Sequence, residues 1–321
     1  LCVSCFIFAQ VWEAEYDSVI IQAINEKRAT NWLKSANFYE YAHDLALANQ
    51  DTTKAIDAGI RSANAQISVN ELDRTLAFTK SLGHLVNLET SSGQHAEIKY
   101  LHALAYYRLS NFELAAEHFD IALNIANPLK DSLIIAKTSL YLGNILVTFA
   151  EFERSHVLAS DAISIFNDLN ETSYIGRANL FKYIIYLYEG NLDDGESFLF
   201  NSFNQAKKYD DKYLLIDTYL FLSDFYQRKN DPSRAITFSE TGLTLATELN
   251  LELSKVRYYN RIGAIYIKLN EPDRALSFLN RAIKFYDSVG SKGLAVNTEI
   301  NAAQCYILKK DYERAESLIK G

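Results

Sequence analysis

The sequence predicts an all-α solenoid of about eight helix pairs. One sign is a recurring turn. Asn270-Glu271-Pro272-Asp273-Arg274-Ala275 returns forty residues earlier as Asn230-Asp231-Pro232-Ser233-Arg234-Ala235, and forty later as Lys310-Asp311-Tyr312-Glu313-Arg314-Ala315. A second is a set of small-residue ladders in that same phase. Ser35, Thr75, Ala115, Ser155, Gly195, Ala235, Ala275 and Ala315 are all small. Seven residues on stand Ala42, Leu82, Ala122, Ala162, Ser202, Gly242 and Ala282, small in all but one; twelve before stand Ala23, Ala63, Ala103, Gly143, Tyr183, Ser223, Gly263 and Ala303, again with one exception. Small residues are about a third of ordinary sequence, so three ladders in phase are hard to obtain by chance. The third sign is composition: 3 Pro and 12 Gly among 321 residues, with 49% hydrophobic, which calls for helices, short turns and a continuous core.

Each element follows from the register. Larger residues keep phase at Trp32, Leu72, Phe112, Phe152, Leu192, Pro232, Pro272 and Tyr312, and a tyrosine ladder runs through Tyr106, Tyr186, Tyr226, Tyr266 and Tyr306. Just before the first of these lie Asn31, Glu71, Asn111, Glu151, Asn191, Asp231, Glu271 and Asp311. All are polar, and Asn and Asp are good helix N-caps. Pro272 then falls on the first helical position, where its missing N–H costs nothing, and Asp273 sits where the helix dipole favours a negative charge. In the third repeat the pattern predicts a first helix over roughly 98–109 and a second over 112–126, with Leu101, Leu104 and Ala105, then Leu114, Ala115, Phe119 and Ala122 at helical spacing. Small ladders mark close helix crossings and aromatic ladders fill the space beside them. One pair cannot bury its apolar side alone, so neighbours stack. The fifth repeat departs most, with Tyr183 on a small position and Gly195 and Ser202 on its second helix, and reads as a drifted repeat or a softer joint.

The pattern Ala103, Tyr106, Phe112, Ala115, Phe119, Ala122 resembles the tetratricopeptide repeat at every element. Gly263, Tyr266, Pro272, Ala275, Leu279 and Ala282 repeat it with Pro272 and Leu279 in place of aromatics. The resemblance runs from about residue 12 to the end, in a long forty-residue-period variety. It implies a right-handed superhelix whose first helices line a concave side where peptides or protein segments lie.

Two segments are expected: residues 1–10 as the end of a signal peptide, and 11–321 as the solenoid, cut short at its C-terminal end. Leu1–Ala9 is apolar and uncharged, too short to span a bilayer, and fits an h-region cleaved after Ala9; an ordinary apolar end is the other reading. Cys2 and Cys5 form a C-x-x-C with no βα pattern behind it, so neither redox nor metal chemistry is expected there. The apolar residues Leu318 and Ile319 would lack a next helix at a natural end, which suggests that the solenoid continues.

Net charge is −8, with no broad basic face, which excludes nucleic acid as a partner class. The six histidines, His43, His84, His95, His102, His118 and His156, show no metal-ligand spacing. There is no phosphate-cradling glycine loop and no nucleophile elbow, and Asp193-Asp194 opens a helix, where acids are expected. No enzyme, cofactor or metal is therefore expected.

Binding remains. On the side that the resemblance makes concave, the candidates are Tyr107, Arg108, Asn144, Arg177, Tyr188, Asp224, Arg228, Arg257, Arg261 and Gln304. The arginines suggest a locally basic groove for an acidic or carboxylate-bearing peptide, unless Asp57, Glu97 and Asp217 neutralise it. A family specialisation that clamps a C-terminal carboxylate is matched by Arg257 and Arg261, but Leu180, Ile184 and Phe221 are apolar where it needs polar groups, so that clamp is absent. The ladder tyrosines read as packing; Tyr107 and Tyr188 lie off the ladder. The expectation is a non-catalytic binding scaffold, in the extracytoplasmic sensory part of a bacterial signalling protein (cyclase or kinase) whose membrane segment lies outside this sequence. The alternative is a cytoplasmic adaptor or peptide-sensing regulator.

Overall fold

A computed structural model describes residues 3–86, 92–289 and 292–320. The described residues form sixteen α-helices and divide into two compact units, Leu1–Asn170 and Glu171–Gly321. The first unit holds α1 (Val3–Arg28), α2 (Trp32–Ala48), α3 (Thr52–Ser68), α4 (Leu72–Leu85), α5 (Ser92–Arg108), α6 (Phe112–Leu129), α7 (Ser132–Thr148) and α8 (Phe152–Asp168). The second holds α9 (Thr172–Glu189), α10 (Leu192–Lys208), α11 (Lys212–Arg228), α12 (Pro232–Glu248), α13 (Glu252–Lys268), α14 (Pro272–Ser288), α15 (Lys292–Leu308) and α16 (Tyr312–Lys320). Within each unit every helix packs on its chain neighbours. Odd helices also touch the next odd one, α3 on α5 and α5 on α7 in the first unit, α9 on α11, α11 on α13 and α13 on α15 in the second. The odd helices are thus the inner layer of each unit.

The structural period is twenty, half of the sequence period. Most helices have 17 residues, about 25 Å at 1.5 Å per residue, and two or three residues join them at the described turns. At every described turn the residue before the N-cap has positive φ, from Thr30 and Gln50 through Ser110, Lys130 and Ala150 to Asn270 and Lys310; Gly190 is the glycine among them. The next N–H reaches back to close the turn, as Asn111 N–H donates to the Tyr106 carbonyl at 3.0 Å and Glu271 N–H to that of Tyr266 at 2.9 Å. This is the Schellman closure that satisfies orphan carbonyls.

Several expectations are refined. In the third repeat the first helix begins at Ser92, six residues before the expected Ile98, and the second runs to Leu129. Of the expected caps, Asn111, Asp231 and Asp311 accept from the backbone N–H three residues on, whereas Asn31, Glu71, Glu151, Asn191 and Glu271 make no such bond. Asp51, Asp131 and Asp211 cap odd helices in the same way.

The ladders pack as their sizes dictate. Ala103, Ala115 and Ala122 are fully buried, and a Cβ on Gly263 would lie 2.6 Å from a Leu279 methyl. Tyr186 stacks on Phe198, Tyr226 on Phe238 and Tyr266 on Phe278. In the fifth repeat the oversized Tyr183 is fully buried, and Gly195 makes room: a Cβ there would stand 2.9 Å from Tyr186 Cβ and 3.1 Å from the Tyr183 ring. Large-for-small on one helix is matched on the next by glycine where other repeats carry alanine, serine or threonine.

Leu1 and Cys2, within the expected signal tail, lie outside the described residues, and the backbone from Val3 is part of α1. Among the described residues no helix is long and apolar enough to cross a membrane.

Candidate functional site

In the second unit the expected arginines meet three aspartates, all from α11 and its N-cap. Asp211 caps α11 through Leu214 N–H and accepts from Arg177 of α9 at 3.0 Å. Asp217 on α11 accepts from Arg257 of α13 at 2.9 Å. Asp224, one turn from the end of α11, is 6% exposed and accepts from Arg228 Nε at 2.7 Å and from Arg261 of α13 at 2.5 Å. Arg261 also donates to Gln227 at 3.2 Å.

The net charge of the expected basic groove follows from these pairs. Four guanidiniums (Arg177, Arg228, Arg257, Arg261) meet three carboxylates (Asp211, Asp217, Asp224), so 4 − 3 leaves one positive charge in excess, centred on Asp224 and its two arginines. Asp224 is likewise not an open ligand group. A buried carboxylate persists because paired, hydrogen-bonded guanidiniums offset its desolvation.

Beside this cluster stands a residue that the sequence presented as a misfit. The Tyr183 hydroxyl on α9 is buried with no hydrogen-bond partner. Burial, reinforced by the Asp224 charge, holds its ionisation far above the usual phenol range. Its ring meets Phe221 edge-on at 5.8 Å. The available signal was the large residue on a small ladder.

Tyr188 is 64% exposed at the end of α9, and Gln304 is exposed on α15. Leu180, Ile184 and Phe221 belong to an apolar cluster with Tyr183 and Leu222, in keeping with the absent carboxylate clamp.

In the first unit, Asn144 of α7 donates to the Tyr107 hydroxyl of α5 at 2.7 Å, tying adjacent inner helices together; Arg108 is exposed. A separate pocket of about 660 Å³ lies among α4, α5 and α6. Three of the scattered histidines, His84, His102 and His118, line it; the His102 and His118 rings lie edge-to-face at 4.6 Å, and His118 stacks on Tyr106 at 5.6 Å. His95 is not among the lining residues. Among the described residues no group of three or more His, Cys, Asp or Glu is placed to hold a metal. Cys305 is buried in the second unit, which pushes its thiol up to about 11.

Comparison with known proteins agrees with this architecture. Residues 256–288 match the family model of the tetratricopeptide repeat. A curated relative, the 43 kDa receptor-associated protein of the synapse from Tetronarce californica, is 22% identical over 191 residues; the match spans 59% of this chain and 46% of that protein. Two solved structures share the fold over nearly the whole chain. One is a Rap protein complexed with competence and sporulation factor (12% identity, 96% of each chain, TM-score 0.67). The other is NprR in complex with its cognate peptide NprX (12% identity, 95% of this chain and 88% of that one, TM-score 0.66). The match at 256–288 falls in the register of the ladders, so this chain carries a tetratricopeptide repeat there, and its described helices share the fold of tetratricopeptide-repeat solenoids.

Proposed function

We propose that the chain is a non-catalytic scaffold that binds a peptide or protein segment on the inner layer of odd helices. The contact centres in the second unit on Arg228, Arg257 and Arg261. The carrying observation is Asp224, one buried carboxylate shared by two arginines, which leaves a surplus guanidinium beside the unpartnered hydroxyl of Tyr183. Such a surplus suits an acidic or carboxylate-bearing peptide. Both solved structures described above hold a signalling factor or peptide on the same fold, which supports this class of ligand.

Fluorescence anisotropy with labelled acidic, neutral and basic peptides, each with a free and an amidated C-terminus, tests it. Acidic peptides bind, and Arg228→Ala and Arg261→Ala each weaken binding about tenfold, or 1.4 kcal/mol. Equal binding of basic peptides, or variants that bind as the parent does, overturns it and moves recognition to the outer helices. Two cellular settings follow. A peptide-sensing regulator needs nothing beyond this binding. An extracytoplasmic sensory region rests on the apolar stretch Leu1–Ala9, and sequencing the mature N-terminus separates the two: cleavage after Ala9 supports export.

A further inference from the structure

The pocket of the first unit is lined by four residues from two successive repeats, Thr79 and Gly83 on α4, His102 on α5 and His118 on α6. Gly83 on α4 occupies the place of His43, Leu123, Ile163, Phe203, Leu243 and Ile283, each buried or half-buried. Nothing lies within 4 Å of where a Gly83 Cβ would sit, so the volume those side chains fill is open here. Glycine inside a helix is destabilising by roughly 0.5–1 kcal/mol against alanine, and no close crossing offsets that cost.

The other three positions bring polar atoms to the pocket. His118 stands where Phe38, Phe78, Leu158, Phe198, Phe238 and Phe278 stand. It keeps their stacking role, lying on Tyr106 as Phe238 lies on Tyr226. His102 stands on a mixed position, with Leu142, Leu222 and Ile262 but also Gln22, Ser62, Lys182 and Ala302, and Thr79 stands with Tyr39, Phe119, Ala159, Leu199, Ser239 and Leu279. Thr79 Oγ1 and His102 Nδ1 are 2.7 Å apart, and His118 Nδ1 is buried with no partner.

Charge points to the ligand. Lys80 from α4 and Lys99 from α5 line the pocket, with no carboxylate among the lining residues. Neither lysine has an ion-pair partner among the described residues. Both lysines add to desolvation in holding the His102 imidazole neutral, so the pocket offers two ammonium groups and neutral imidazoles rather than a metal-binding triad. A volume of about 660 Å³ is in the range of small-molecule sites and exceeds what a bare inorganic anion fills.

We propose that this pocket, opened by Gly83 and lined by Thr79, Lys80, Lys99, His102 and His118, binds a small organic oxyanion, a phosphomonoester or a polycarboxylate. The lysines take the anionic group, and the Thr79–His102–His118 set supplies hydrogen bonds to the rest of the molecule. This site is independent of the peptide face in the second unit.

The test is thermal-shift and calorimetric titration of the full chain with AMP and with citrate, and with adenosine as the uncharged control. A saturable rise in Tm is expected with at least one of the two anions and none with adenosine. Gly83→Leu, which restores the side chain found in other repeats, and Lys80→Ala/Lys99→Ala each weaken that binding at least about tenfold. Gly83→Leu keeps the helical circular dichroism and a Tm no lower than the parent's, so loss of binding is not loss of fold. Arg261→Ala in the second unit leaves it unchanged. No saturable response to either anion, an equal response to adenosine, or undiminished binding by Gly83→Leu overturns the proposal.

Discussion

At the scale of single residues, burial decides what each titratable group contributes. Desolvation comes first in pushing His102 down to about 4, followed by the His118, Lys99 and Lys80 charges; desolvation and Lys99 lower His118 as well, with Glu117 opposing. The groups facing the pair are Lys80 and His84 from α4, Lys99 from α5, and Glu117 from α6. In the unfolded chain both imidazoles titrate near 6.5. Between about pH 6.5 and 4 the unfolded state therefore binds more protons than the folded one, and stability falls as pH falls through that window. Because the rings are partly exposed, the loss is discounted to on the order of 1–2 kcal/mol. The double variant His102→Leu/His118→Phe carries the residues of other repeats and removes this component. Urea midpoints at pH 7 and pH 4.5 for both proteins check it, and equal pH dependence in the two would refute it. None of this convergence was legible in the sequence: Thr79, His102 and His118 lie on three different helices, and the spacing of histidines along a chain does not report which helix faces meet.

At the scale of the element, the forty-residue ladders were legible because close helix crossings demand small residues at fixed phase. The twenty-residue structural period was not. Its marker is backbone conformation at the turn, and that conformation is adopted by Thr30, Gln50, Ser110, Ala150 and Lys310 as well as by the asparagines that commonly signal it. Such residues hold a positive φ because the turn's hydrogen bonds and the packing of both flanking helices impose it. Ala150 is exposed, at φ 61°, and makes the closure Ala150 N–H to Val147 carbonyl at 3.1 Å. A Cβ in the left-handed region costs about 1–2 kcal/mol, part of which is offset by the greater freedom of glycine in the unfolded chain. Ala150→Gly is accordingly expected to stabilise by about 0.5–1 kcal/mol. A higher urea midpoint with unchanged m-value would show it; a lower midpoint would mean that the turn is not held as described. The arginine run of the second unit divides in the same way. Its ladder was readable, but its partners lie 34, 37 and 40 residues away on adjacent inner helices, and only packing reveals that Arg177, Arg261 and Arg257 are already paired.

At the scale of the whole molecule, a chain of nearest-neighbour contacts makes stability local. Helices pack on chain neighbours and on the next inner helix, and each unit has core clusters of its own, one around Phe119, Leu82 and Leu142 and another around Ile262, Leu279 and Ala302. Damage in such an array spreads through adjacent interfaces and weakens with distance along the chain. Phe119 is fully buried and stacks face-to-face on Tyr141 at 5.9 Å, so Phe119→Ala removes both apolar contact and aromatic packing, at about 3–5 kcal/mol. Amide hydrogen exchange on this variant is expected to show protection lost in α5, α6 and α7, with α13 and α14 exchanging as in the parent. Leu279→Ala, at about 2–5 kcal/mol, gives the reverse pattern. Uniform loss of protection across residues 3–320 in either variant would show that the chain opens as one cooperative body. The same locality would permit the two proposed binding sites to differ in chemistry. A pocket opened by omitting one side chain in the first unit leaves the packing of α11 on α13 untouched, so an anion at Lys80 and Lys99 and a peptide at Arg228 and Arg261 can each be tested by variants that spare the other.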